Sequence, residues 1–373
     1  MVENAQSERI FGLDVMRAMA IIMVLSSHIL WIYPQNSSMI SQFFQLFGFL
    51  GVEAFFVLSG FLIGGIFYKL YLKDDFSFKS TVYFLKRRWF RTLPNYYLFL
   101  ILNVLVTFII GYTIDDLWKY LFFLQNFCST MLPFYTESWS LSVEEFTYLL
   151  LPISILLGSF LFKNKNKKQT YISIVISMII LLILNKFIYN QITSNTSLTQ
   201  WNVSLKAVVI YRMDSILIGV VFSWIALNYQ QFWQKQKISL ALVGAILLLM
   251  MYVGVGFFQL TIENYPLFWN VLYLPITSLT LALFLPILSQ WKTSKLPFQK
   301  AIVMVSLISY SCYLIHYGIV LQLMKHFVKT DDLPMYQLHI YTMAFLFITF
   351  VLSYLNYKYF EKPIMDLRDK NQS

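Results

Sequence analysis

Arg17 and His28 stand eleven residues apart in a long apolar run near the start of the chain. A helix makes about three turns over that interval and rises ~16 Å, so the two side chains share a face. Asp14, three residues before Arg17, lies on much the same face. One helical stripe thus carries a carboxylate and a guanidinium low down and an imidazole higher up. An imidazole beside a buried carboxylate is the pair a general base needs, because the acid orients the ring and raises its basicity. The acid expected there is Glu144, in Glu137-Ser-Trp139-Ser-Leu-Ser-Val-Glu144-Glu145-Phe. Glu145 points about 100° away on a helix and is free to pair elsewhere. Glu53, Arg212, Asp214 and His316 also interrupt apolar runs. Each has a plainer reading. Arg212 and Asp214, two apart, face different ways and suit ion pairs between helices, with Glu53 a partner for Arg212. His316 suits a hydrogen-bonded packing role.

The elements that must position these groups are membrane helices. Of 373 residues, 58% are apolar and 12% charged, about half the charge of a soluble domain. That excludes an ordinary soluble enzyme, a disordered tail protein and a collagen-like repeat. Ten apolar runs approach the ~20 residues that a spanning helix needs. They cover 13–33, 43–68, 94–112, 139–162, 170–189, 205–227, 238–258, 267–288, 302–324 and 336–357. A shorter run, Leu117 to Phe127, reads as interfacial or re-entrant. The expected fold class is therefore all-α, a polytopic helix bundle filling one integral membrane domain, and no appended extracytoplasmic domain is expected. The first run has no cleavage-site pattern and reads as a retained helix.

With both termini cytoplasmic, the inner segments hold 21 of the 28 Lys and Arg residues. The other seven are Arg17, Lys119, Lys186, Lys206, Arg212, Lys325 and Lys329, with Lys186 and Lys206 read as flanking outer helix ends. This positive-inside bias supports this orientation over its inverse. It also gives the net charge of +10 a membrane meaning in place of a nucleic-acid one. Counted along each run, His28, Glu144, Arg212, Asp214, Glu53 and His316 fall at the midplane or in the outer half. They form an expected belt around one polar cavity, with Asp14 and Arg17 below it.

On the inner side, residues 76–93 read as an amphipathic surface helix, with Pro94 opening the third span. Arg88 and Arg91, three apart, share a face suited to bidentate contacts with a phosphate-rich ligand. Composition alone favours anchoring to anionic lipid instead. Cys128 and Cys312 are expected to remain unbonded. The four histidines have no ligand-set spacing, so no metal is expected, and His326 and His339 read as solvated at the outer boundary.

Together these residues resemble acyltransferase family 3, the bacterial membrane proteins that pass acyl groups from acyl-CoA to surface polysaccharides. The resemblance rests on Arg17 with His28; Gly51-Val-Glu53-Ala-Phe55-Phe56-Val-Leu-Ser59-Gly60-Phe61; Arg88-Trp-Phe-Arg91-Thr-Leu-Pro94; and Trp139-Ser-Leu-Ser-Val-Glu144-Glu145. Arg212-Met-Asp214, Ser309-Tyr310-Ser311-Cys-Tyr313-Leu-Ile-His316 and Glu361-Lys-Pro363 are weaker blocks in the same order. The resemblance implies an O-acyltransferase of the cytoplasmic membrane using acyl-CoA, most simply acetyl-CoA, as donor, with no permanently bound cofactor. Arg88 and Arg91 would hold the donor's phosphates and its thioester arm would pass Arg17 to His28. His28 would take a proton from a carbohydrate hydroxyl, oriented or relayed by Glu144. Arg17 or Arg212 would stabilise the developing charge. A covalent relay on His28 or Ser59 is the alternative. Partners would be lipid, the carbohydrate acceptor and polysaccharide-assembly proteins. The competing class is a transporter or flippase, which also suits many spans with midplane charges; the sequence shows no inverted repeat for it.

Overall fold

The computed structural model describes residues 9–33, 39–162, 166–193 and 197–370. Lys163 and Lys165 of the basic run before the fifth span, and both extreme termini, lie outside the described residues. Regular structure among the described residues is helical throughout, with no strand. Ten principal helices follow the ten apolar runs: α1 (Phe11–Ile29), α2 (Met39–Tyr71), α3 (Phe78–Ile110), α4 (Trp139–Leu161), α5 (Lys167–Ile192), α6 (Met213–Asn228), α7 (Lys237–Phe257), α8 (Tyr273–Ala282), α9 (Gln299–Ile315) and α10 (Met335–Asn356). Nine helical segments among the described residues are long and apolar enough to cross a membrane, and α6 is a shorter apolar helix. Backbone groups cannot stay unpaired in lipid, so a sequence this apolar closes its hydrogen bonds within helices.

Segment contacts agree with chain alternation between two ends of the bundle. At one end the backbone N–H of Phe11 reaches Lys292 O (3.1 Å), and Lys167 Nζ reaches Lys73 O (2.9 Å). The basic loops therefore meet, and this is called the basic end. At the opposite end Lys325 Nζ reaches Trp31 O (2.9 Å), and Tyr33 Oη meets His339 Nδ1 (2.9 Å).

The structure departs from the sequence reading in two elements. Residues 76–93 are not a separate surface helix. Ser77 caps a single helix running to Ile110, and Pro94 lies inside it. Proline removes one N–H and one intrahelical bond, a cost that packing of this long helix outweighs. The sixth run is also not one helix. A short helix, a π-helical turn and a 3₁₀ turn cover Leu198–Tyr211, and Arg212 immediately precedes α6.

The tightest crossing joins α2 to α6. A methyl group at Gly60 would collide with the Ile216 carbonyl, and one at Gly219 with the Val57 carbonyl. Small residues let membrane helices approach until their backbones touch, which replaces the hydrophobic drive that lipid removes.

The segment between α3 and α4 dips into the bundle, as the re-entrant alternative expects for residues near Leu117 to Phe127. Tyr120, Gln125 and Asn126 are buried, and Tyr96 Oη of α3 donates to Tyr120 O (2.7 Å). Asn126 Nδ2 satisfies the carbonyls of Trp139 (3.0 Å) and Ala207 (2.5 Å). Helix α4 consequently starts among buried groups, with Glu137 and Ser138 already inside.

Candidate active site

Helices α1 and α9 run alongside each other, with the register shifting by one residue between two contacts. Arg17 Nη1 of α1 donates to Ser306 Oγ of α9 (3.1 Å), and eleven residues later His28 Nδ1 meets Nε2 of His316, at the end of α9 (2.6 Å). The shared face inferred from helical spacing is therefore a real seam. Its low end is a compact ion cluster. Asp14 accepts from Arg9 through Nε (2.5 Å) and Nη2 (2.8 Å), from Ser306 Oγ (2.7 Å) and from Arg17 Nη1 (3.5 Å). Arg9 escaped the sequence reading because it precedes the helix; only its spacing of five from Asp14 hints at the pair.

The high end of the seam is a histidine pair. The rings of His28 and His316 lie 4.7 Å apart, and that of Tyr317 lies 4.9 Å from His28. His316 Nδ1 faces two backbone carbonyls, Tyr313 O (2.8 Å) and Cys312 O (3.1 Å). A carbonyl only accepts, so His316 carries its proton on Nδ1 and its Nε2 is an acceptor when neutral. The short contact then requires His28 to donate from Nδ1, which leaves the lone pair of His28 on Nε2. Two carbonyls thus set the tautomer of a second ring through the first. The chain from Cys312 to Leu321 permits this because α9 passes into a π-helical stretch at His316–Leu321. Such bulges recur at functional sites because they re-aim side chains.

Glu144 is not the partner of His28, contrary to the sequence expectation. Its Oε2 accepts from Arg88 Nη2 (3.3 Å) and Tyr148 Oη (3.1 Å). Arg88 Nη2 also donates to Tyr148 Oη (2.9 Å), with its guanidinium 4.3 Å from that ring's centroid. Ser59 Oγ completes the group with a short bond to Tyr148 Oη. The depth estimate failed because it started α4 at the membrane surface; the re-entrant segment starts it deeper. Arg88 is accordingly committed within the bundle, while Arg91 is exposed and lies within electrostatic reach of Arg17 and Glu144. Glu145 accepts instead from Thr92 Oγ1 (2.8 Å).

The remaining charges form interhelical pairs, as the plainer reading holds. Glu53 of α2 pairs with Arg212 and also accepts from Ser278 Oγ. Arg212 Nη1 donates to Ser215 Oγ (3.0 Å). Asp214 pairs with Lys186 of α5 at 2.5 Å, with both side chains wholly buried. Lys186 is therefore no outer flank. The expected single belt resolves into three groups: the histidine pair, the Arg88–Glu144–Tyr148–Ser59 network, and this pair of ion pairs. Lys206, also read as a flank, lies within electrostatic reach of both His28 and Arg212 and stands 5.3 Å from the Trp139 ring centroid. Glu361 of the last sequence block accepts from Asn95 Nδ2 (2.9 Å) and Ser311 Oγ (2.7 Å), locking α9 to α3. Both cysteines are free thiols.

The family model for this acyltransferase domain, that of acyltransferase family 3, matches residues 10–358. The chain belongs to this family. It is a multi-pass membrane protein by its helices. It is 28% identical to the O-acetyltransferase OatA of Staphylococcus aureus over 382 residues, 95% of this chain and 57% of that protein. It is 30% identical to the putative peptidoglycan O-acetyltransferase YrhL of Bacillus subtilis over 182 residues, 44% of this chain and 26% of that protein. A second putative O-acetyltransferase of Staphylococcus aureus is 25% identical over 375 residues, covering 94% of this chain and 56% of that protein. The match thus spans little more than half the length of the two Staphylococcus aureus relatives and about a quarter of the Bacillus subtilis one. No solved structure gives a significant match.

Proposed function

We propose that the chain is an O-acyltransferase of the cytoplasmic membrane. It carries an acyl group, most simply acetyl, from acyl-CoA at the basic, cytoplasmic end to a hydroxyl of a surface or exported carbohydrate at the other. Family membership favours acyl transfer over transport, and the names of its relatives, one of them a putative peptidoglycan O-acetyltransferase, favour a carbohydrate hydroxyl as acceptor. The observation that carries the reading is the histidine pair: His28 has its Nε2 lone pair fixed by a bond from its own Nδ1 to His316.

The chemistry follows from that tautomer. His28 Nε2 takes the proton as the acceptor oxygen attacks the thioester carbonyl carbon. His316 accepts from the imidazolium that forms and so stabilises it. The tetrahedral intermediate collapses by breaking its C–S bond, and the departing thiolate takes the proton back from His28. The ester and free CoA are the products. The Lys206 charge, within reach of His28, supports the oxyanion, a role that fits its position better than that of Arg212, which is committed to Glu53. At the basic end Arg91, Arg88 and Arg17 supply the positive field for the donor's phosphates. Glu144 then orients Arg88 and not the base. Lipid surrounds the bundle, and polysaccharide-assembly proteins are the hand-off partners this reading allows.

The test is transfer of label from radiolabelled acetyl-CoA to glycan in membranes holding wild type or His28→Ala at matched protein levels. The reading expects transfer by wild type and loss in the variant. Equal transfer by both removes His28 from the chemistry.

A further inference from the structure

A cleft opens beside the histidine pair at the end of the bundle away from the basic loops. Asn103 and Tyr112 of α3 and its end, Tyr135 and Thr136 before α4, and Tyr317 and Gln322 after α9 line it. The lining joins aromatic faces to amides and hydroxyls, the mixture that receives a sugar ring: flat C–H faces against rings, hydroxyl groups against polar atoms. Tyr317 belongs to the cleft and also packs its ring 4.9 Å from His28, so an occupant would sit next to the proposed base.

Two of the buried polar atoms unsatisfied among the described residues belong here, one on Tyr135, which lines the cleft, and one on Glu137, which does not line it but is hydrogen-bonded to the lining residue Gly318. Glu137, 4% exposed, uses Oε1 to accept from the backbone N–H of Gly318 (2.9 Å), a cleft residue, while its Oε2 has no hydrogen-bond partner. Tyr135, 3% exposed, has an unpartnered hydroxyl and holds a left-handed backbone at φ 45°. A bulky residue rarely adopts that conformation, and such strain collects at functional sites. The Glu137 carboxylate also lies within electrostatic reach of Tyr112, Tyr135 and Tyr317, all three in the cleft. Buried polar groups without partners are rare in folded proteins and call for an explanation. Hydroxyl donors entering the cleft would give both atoms their missing bonds. The space around Gly318 is tight as well. A methyl group there would meet Asn103 Oδ1 and Glu137 Oε1, so the absent side chain keeps the carboxylate close to the backbone that follows His316.

We propose that this cleft is the acceptor subsite, which takes a polyhydroxylated sugar ring and binds it through Glu137 Oε2 and Tyr135 Oη with the ring against Tyr317. The proposal rests on the acyl-transfer reading, and its test is an occupancy measurement that does not need turnover. A Thr136→Cys reporter is placed in a Cys128→Ser background, and the full chain is reconstituted into nanodiscs. The rate of labelling by a membrane-impermeant maleimide is followed against chitopentaose and maltopentaose. Protection of the reporter by at least one sugar is expected. Glu137→Gln should raise the half-protecting concentration about tenfold or more, the loss of a hydrogen bond to a charged acceptor. Tyr135→Phe, which removes only the hydroxyl, should raise it severalfold. The sugar-free labelling rate and melting temperature report the fold of each variant. No protection by either sugar, or protection indifferent to both substitutions, overturns the subsite. Protection in wild type without acetyl transfer upholds the subsite and overturns the acyl-transfer reading.

Discussion

Replacing His316 by phenylalanine keeps the aromatic volume and removes the acceptor of the bond from His28 Nδ1 (2.6 Å). With both rings neutral, that bond carries no net charge. As His28 takes the acceptor proton the bond becomes charge-assisted, and hydrogen bonds to charged groups contribute about 1.5–3 kcal/mol. That share of the barrier corresponds to roughly 10- to 150-fold in kcat, at about 1.4 kcal/mol per decade. Loss of the base itself in His28→Ala costs typically ~10²–10⁴-fold, so the His316→Phe enzyme should retain measurable turnover. The KM for acetyl-CoA should not move, because the donor's phosphates are assigned to the basic end. The assay is steady-state acetyl transfer by purified protein in proteoliposomes, with melting temperature and elution volume as controls for folding. A kcat within twofold of wild type in a folded His316→Phe protein refutes the tautomer argument. A loss as complete as that of His28→Ala refutes it differently, because His316 would then handle the substrate proton itself.

Three further outcomes follow from the buried charges and the helix crossing. Arg212→Leu leaves Glu53 charged and wholly buried, so it should destabilise the fold by about 3–5 kcal/mol; Arg212→Leu with Glu53→Gln should recover much of that, read by thermal melts in detergent. Arg88→Lys keeps the charge but loses the planar fork that serves both Glu144 and Tyr148. It should raise the KM for acetyl-CoA several-fold with a smaller change in kcat, seen in donor titrations. Gly219→Val would drive a branched side chain into the α2 backbone at Val57; it should abolish a monodisperse peak in size-exclusion chromatography, whereas Gly254→Ala, with open space around it, should not.

The helical architecture was legible because membrane helices are long and apolar, and the Arg17–His28 face because helical geometry is rigid over eleven residues. The Glu53–Arg212 pairing was legible too, since a buried guanidinium needs an acid. What sequence reasoning missed has one physical source: depth along a run is a poor guide when a helix does not begin at the membrane surface. The segment holding Tyr120 and Asn126 sinks into the bundle, lowers the start of α4 and takes Glu144 to Arg88. The broken backbone before α6 likewise takes Lys206 to the neighbourhood of His28, where it had read as a flank. Glu137 gave no signal of its own, because it sits before the helix, outside any periodic pattern. The His28–His316 contact was within reach of sequence only as two imidazoles at similar depth; that they touch is set by the π-helical stretch after Ile315.

Transfer from one face of the membrane to the other is the central claim, and sidedness measures it most directly. Protein reconstituted into liposomes is sorted by orientation through impermeant labelling of exposed Cys128, which lies in the connection between α3 and α4, away from the basic end. Radiolabelled acetyl-CoA is then supplied to one face and chitopentaose to either. The account predicts acetylated sugar only when acetyl-CoA is on the face of the basic loops and the sugar on the face of Cys128. Acetylation with both substrates on the same face, in sealed vesicles, would contradict it.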